Sequence, residues 1–509
     1  MERQRHRAFV IGAAIAGLAV IGEVHQARAE QGIDLDGLTL RQAAAELCAG
    51  KITSKALTSA ALARAKATQN LNAFITLDET GATKAAAAFD TAHARSSACK
   101  PLGGVPVVIK DNIEVAGLPS SAGTPALKNF IPRTDAPVAA KLRDAGAIII
   151  GKTNMHELAF GISGYNVAFK TGPEPGVRNA YDSTKIAGGS SSGTATAIGA
   201  RIVTGGLGTD TGGSVRVPCA LDGCASLRPT VGRYPGEGIA PISHTRDTAG
   251  PMAATIADVA VLDRVIARGG PIAPANPKEV RIGVAGATLV NLDGDTDAAF
   301  RAALDKLRKA GVTVIDVEMP KFADLNGQVG LPVALYEAYD DMVAYLNRTG
   351  TGITIEELAK QIASPDVKGM YDRLVIPRKV PGPDNSVVDA KPAYDAAMKT
   401  ARPALQALYR DTFTKNRLDA IAFPTVPKVA IPANPESSSL ANLKLFFQNT
   451  QPGGNAGVPG IQVPVALGAT SKLPVGLELD GPSGSDRRLL AIGMALDGIF
   501  GRLPAPSAH

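Results

Sequence analysis

Three short segments constrain this 509-residue chain more than anything else in it: an apolar run carrying a lysine (VVIKDN, with Lys110), a glycine-serine cluster (GGSSSG, 188–193) and a second glycine-backed serine (GTDTGGSVRVP, 208–218). Lys110 follows Val107, Val108 and Ile109, so it leaves a buried strand. Burial lowers the pKa of a lysine from its reference near 10.4 by up to several units, so an amine placed here can be neutral and act as a base. A serine hydroxyl is a weak nucleophile at neutral pH and needs such a base, together with donors for the oxyanion its attack creates. Gly212 and Gly213 admit backbone conformations closed to other residues and can aim several amides at one point ahead of Ser214. The three segments are the parts of a hydrolase that uses lysine where others use histidine.

Taken singly, each segment has a plainer reading. Glycine and serine clusters are ordinary loop material, and a lysine at a strand end is usually solvated. The ordered combination carries the argument. Two other motifs point elsewhere and are set aside on physical grounds. GAIIIGKT (146–153) fits the phosphate-loop pattern, but its interior of Ala147, Ile148, Ile149 and Ile150 favours a strand over a loop that cradles phosphates. GSSSG (189–193) fits a nucleophile elbow with Ser191 at its tip, but that mechanism requires a downstream acid and histidine. Only His244 and the terminal His509 follow it. His156 and His244 read as surface or hydrogen-bonding residues.

Together these blocks resemble the amidase signature family of serine hydrolases, with the match running over about residues 36–265 and 415–500. In that family a lysine, a serine in a cis peptide and a nucleophilic serine form a triad. Motif by motif, the resemblance puts the lysine on Lys110 (GGVPVVIKDNI), the bridging serine on Ser190 (AGGSSSG) and the nucleophile on Ser214 (TDTGGSVRVP). It further implies an oxyanion hole from the backbone amides of Thr211, Gly212, Gly213 and Ser214. Asp210 and Arg216 flank the nucleophile and read as a supporting ion pair that holds the glycine turn. The fold implied is α/β, a single large domain with a central mixed β-sheet covered by helices. The activity implied is hydrolysis of a carboxylic amide, aryl-substituted or small and aliphatic, without metal or other cofactor. The stretch LPVGLELDGPSGSDRRLLAIG (473–493) looks most like family members acting on aryl-substituted acetamides. The alternative from the same resemblance is a subunit of a glutaminyl-tRNA-forming amidotransferase, which would need a partner subunit and a nucleic acid.

The N-terminus reads MERQRHR, then an uncharged apolar stretch from Ala8 to Gly22, then an Ala27-x-Ala29 site. This is the pattern of a secretory signal removed after Ala29, so residues 1–29 are expected to be a leader and 30–509 the catalytic domain, exported to a periplasm or secreted. The apolar stretch is shorter than the roughly 20 residues a spanning helix needs, so no stable membrane insertion is expected after cleavage. Loss of four arginines and two glutamates with the leader lowers the net charge from +6 to +4. With no Trp, 4% aromatic residues and no basic cluster, little is available to grip a nucleic acid. A small-molecule amide is the expected partner, and the sequence leaves homo-oligomerisation open. Cys48, Cys99, Cys219 and Cys224 could pair in three ways or remain buried thiols. The Cys219–Cys224 spacing does not fit a paired CxxC metal knuckle.

From Leu40 the periodicity predicts two packed helices broken near Gly50. Pro106–Ile109 and Ala147–Ile150 read as buried strands, with a helix at 139–146 between them, an alternation that implies an α/β sheet. A small-residue helix is expected after Ser190. Between 270 and 415 a charged helical pattern takes over, and the resemblance makes this the variable region that shapes the substrate pocket.

Overall fold

The computed structural model describes residues 32–507 apart from 97, 171–173 and 383–385. The leader expected at residues 1–29 lies outside the described residues. The strands, in chain order, are β1 (Phe74–Leu77), β2 (Pro106–Lys110), β3 (Ile148–Thr153), β4 (Gly205–Asp210), β5 (Ala225–Arg228), β6 (Thr248–Ala253), β7 (Arg281–Ala285), β8 (Thr313–Val317), β9 (Lys379–Pro381), β10 (Val387–Asp389), β11 (Ala420–Pro424), β12 (Gly460–Leu467) and β13 (Pro474–Asp480). Eleven of them form one sheet in the order β1-β3-β2-β4-β6-β5-β12-β13-β11-β7-β8, while β9 and β10 pair separately. The sheet is mixed: β2 runs parallel to β3 and β4, and β11 to β7, whereas β4–β6, β5–β12 and β12–β13 are antiparallel. This is the single α/β domain with a helix-covered central sheet that the sequence implies.

The continuous apolar runs explain the parallel core. PVVIK and IIIGKT are buried at every position, as strands covered on both faces must be. The isoleucines that counted against a phosphate loop lie in β3. The two expected N-terminal helices are Leu40–Cys48 and Ser54–Ala67, with Thr39 and Thr53 capping their N-termini. The small-residue helix is Ser192–Gly199, buried throughout. Its Gly193 is required by close approach: a Cβ there would lie 2.2 Å from the Ala73 carbonyl oxygen and 2.7 Å from the backbone of Asn154.

Two features differ from expectation. The region 270–415 is not wholly helical, because RIGVA and TVIDV become β7 and β8 and extend the sheet. It also holds a 28-residue helix, Phe322–Thr349, whose internal Pro332 disguises it in the sequence. The cysteines pair as Cys48–Cys99 and Cys219–Cys224, so the free-thiol alternative does not hold.

Candidate active site

Lys110 ends β2, and β4 lies beside it in parallel register, with Ile109 opposite Leu207. That register brings the lysine to the GTDTGGS segment leaving β4. Lys110 is fully buried, and its Nζ donates to Ser190 Oγ at 2.8 Å and to Thr209 Oγ1 at 2.8 Å. Burial lowers its pKa to about 7, against the opposing pull of the Asp210 and Asp247 carboxylates. The amine is therefore partly neutral at physiological pH.

Ser190 follows the cis Gly189–Ser190 peptide, and its carbonyl accepts from the His156 amide at 3.3 Å. The two serine segments are stitched together next door, where the Ser191 amide donates to the Ser214 carbonyl at 3.1 Å. Ser191 Oγ donates to the Thr209 carbonyl at 3.1 Å and accepts from the Thr209 amide at 3.2 Å. The serine that mimics a nucleophile elbow thus has its hydroxyl committed to the backbone of β4.

Ser214 is 4% exposed and stands just before the helix Arg216–Asp222. The turn ahead of it depends on Gly213, whose φ of +147° disfavours a side chain and whose Cβ would meet Thr450 Oγ1 at 2.2 Å. Asp210 fastens this turn by accepting from the amides of Gly213 at 2.8 Å and Val215 at 3.1 Å. It also accepts from Arg216 Nη2 at 3.1 Å and Arg228 Nη1 at 2.9 Å. Burial alone would raise the pKa of this carboxyl, but the guanidiniums of Arg216 and Arg228 hold it well below the usual carboxylate range. Asp210 and Arg216 are thus a buried ion pair under the turn. The Gly213 amide, one of the four expected to meet an oxyanion, is thus given to Asp210.

Three residues near the site escape sequence reasoning. Thr209 bridges Lys110 and Asn112, whose Nδ2 donates to its hydroxyl at 3.1 Å. Asp247 accepts from Thr211 Oγ1 at 2.5 Å and from the amides of Ile242 and Ser243 at 2.7 and 2.8 Å, which ties the glycine turn to the segment before β6. Arg246 is 1% exposed and donates to Ser243 Oγ, the Gly330 carbonyl and Asn455 Oδ1. None of the three could have been chosen from spacing alone, since each also depends on partners 36 to 209 residues away.

A small cavity of about 60 Å³ covers Ser214, walled by Thr211, Gly212, Arg246 and Gln451 and by apolar side chains including Phe160 and Leu335. The larger spaces lie away from Ser214. One groove of about 730 Å³ shares Phe160, Leu331, Met370 and Leu443 with the small cavity, and continues it outward. The helix Phe322–Thr349 supplies Leu331 and Leu335 to the wall of the small cavity.

The two histidines divide. His156 is fully buried, not on the surface, and its Nε2 lies 2.8 Å from Asp366 Oδ2. His244 is exposed and pairs with Asp341 at 2.9 Å. With Glu337, these two form the one grouping among the described residues close enough to hold a metal ion. Its atoms are already committed, since Glu337 accepts from Ser243 Oγ, Thr245 Oγ1 and the Tyr394 hydroxyl.

The chain belongs to the amidase family, whose pattern matches residues 56–490, and with that family it is a hydrolase of carbon–nitrogen bonds in non-peptide amides. It is 43% identical to the mandelamide hydrolase of Pseudomonas putida, over 92% of this chain and 93% of that one. It is 41% identical to an indoleacetamide hydrolase of Rhizobium radiobacter, over 86% and 92%. Among solved structures, an amidase crystal structure with 32% identity superposes with a TM-score of 0.78, covering 91% of this chain and all of the other.

Proposed function

We propose that the chain hydrolyses an aryl-substituted or small aliphatic primary amide to the carboxylate and ammonia through an acyl-enzyme on Ser214. The observation that carries this reading is a lysine amine, sealed from solvent and poised near neutrality, 2.8 Å from the Ser190 hydroxyl. Neutral Lys110 accepts the Ser190 proton as Ser190 accepts that of Ser214, and Ser214 Oγ bonds to the amide carbon. The carbonyl oxygen takes the negative charge and is met by the amides of Thr211, Gly212 and Ser214. On collapse the carbon–nitrogen bond breaks, and the proton returns through Ser190 to the leaving ammonia. A water then attacks the acyl carbon by the same relay, and carboxylate leaves. Apolar walls beside Ser214 and along the adjoining groove suit an aryl group, in keeping with the names of the two hydrolases above.

The test is ammonia release from phenylacetamide, mandelamide, indoleacetamide and short aliphatic amides. Turnover of one or more is expected, with Ser214→Ala lowering kcat by about 10⁴-fold or more. Full activity in Ser214→Ala would refute the nucleophile. Export is part of the same proposal, supported by the leader pattern and by two disulfides that fit an oxidising compartment. Sequencing the N-terminus of the protein from an extracytoplasmic fraction should begin at Glu30; an intact Met1 would overturn cleavage.

A further inference from the structure

The groove that continues the Ser214 cavity changes character along its length. The side chains common to both spaces, Phe160, Leu331, Met370 and Leu443, are apolar, whereas Arg373 and Lys444 line the groove alone. Each of these cations sits on the helix face that fronts the groove. In the helix Pro365–Met370 and its one-turn continuation Tyr371–Val375, the lining residues Asp366, Met370, Arg373 and Leu374 recur at helical spacing. In the helix Leu440–Phe447, Leu440, Leu443 and Lys444 line the groove and Phe447 the inner cavity, again three and four residues apart. This second helix therefore runs inward toward Ser214, with Lys444 about one turn outside Phe447.

Both cations are exposed, and neither has an ion-pair partner among the described residues. The nearby acids are already committed. Asp372, next to Arg373 in the chain, is held by Lys368 Nζ at 2.5 Å. Asp366, the one carboxylate among the described residues lining the groove, lies 2.8 Å from His156 Nε2. Two unanswered positive charges on otherwise apolar walls raise the local concentration of an anion. The size of the space shows how far from the scissile bond that anion would sit. A groove of about 730 Å³ is on the scale that encloses a drug-sized ligand, so an arylacetyl group leaves room beyond its ring.

We propose that the groove selects amides whose acyl group is apolar next to the carbonyl and ends in a carboxylate, with Arg373 and Lys444 as the specificity-determining residues that hold it. This rests on the amide-hydrolysis reading above and deepens it. The apolar part of the acyl group lies against Phe160, Leu331, Met370 and Leu443, and its charge meets the cations one step further out.

The experiment measures kcat/KM for ammonia release from phenylacetamides that carry, para on the ring, a carboxylate attached directly or through one or two methylenes. Each is compared with the alcohol of the same chain length, which matches it in size without the charge. For at least one spacer the acid is expected to exceed its alcohol by about fivefold or more, through KM, the scale of two exposed ion pairs. Raising NaCl from about 0.05 to about 0.5 M is expected to shrink that ratio, because the charges are open to solvent. Arg373→Gln combined with Lys444→Gln is expected to bring it to within about twofold of unity. An acid no better than its alcohol at every spacer overturns the proposal, as does a ratio unchanged by salt or by the double substitution. Should that variant not fold, the salt series on the wild type decides alone. Absence of ammonia from all of these amides and from phenylacetamide itself would instead contradict the amide-hydrolysis reading, a distinguishable failure.

Discussion

Unfolded, Lys110 holds its proton up to its ordinary pKa of 10.5; folded, it releases it at about 7 because burial disfavours the charged amine. Between those values the unfolded chain binds the extra proton, so this residue makes stability climb as pH rises from about 7 and plateau above about 10.5. Below pH 7 the full penalty applies, on the order of 5 kcal/mol for a shift of this size. Replacing the amine by an apolar chain of similar length should therefore stabilise the fold while destroying the chemistry. Lys110→Met is expected to raise Tm by about 1–3 °C and to lower kcat by about 10³-fold or more, read by thermal melts and ammonia release. A variant that is less stable at pH 7 would show that the hydrogen bonds to Ser190 and Thr209 outweigh desolvation.

At the scale of elements, the site depends on how closely the helix Ser192–Gly199 can approach the strands beneath it. Gly193→Ala would drive a methyl into the backbone of Ala73 and Asn154, neither of which is a flexible side chain. The expected loss is about 3 kcal/mol, with activity falling as Ser190 is displaced; an unchanged melt would contradict this packing. Element by element, legibility in the sequence followed locality. PVVIK and IIIGKT announce buried strands because their composition leaves no alternative, and the serine blocks fall on loops and helix starts as their glycines require. TVIDV, half exposed at the sheet edge, does not stand out within a charged stretch, and Pro332 masks the longest helix among the described residues. Thr209, Arg246 and Asp247 act through partners far along the chain, so no spacing rule reaches them.

Across the whole molecule, the glycine turn before Ser214 is anchored to a strand contributed by the last tenth of the chain. Arg216 pairs with Asp210 at the turn and with Glu478 on β13, and Asp480 stands 4.0 Å away. Burial pushes both Glu478 and Asp480 upward, so their charge depends on the arginine between them. Arg216→Met would leave these carboxyls and Asp210 buried without their shared cation. The expected destabilisation is about 3–5 kcal/mol, measured by denaturant unfolding, with loss of activity. A change below about 1 kcal/mol would mean that Arg228 alone can hold Asp210.

The central claim is that turnover begins with an uncharged Lys110, and the pH dependence of kcat/KM tests it most directly because that ratio reports the free enzyme. The account predicts a rising limb with an apparent pKa of about 7, where the buried amine loses its proton, and sustained activity above it. A profile that is flat from pH 5 to 9, or one that falls as pH rises through 7, would contradict it.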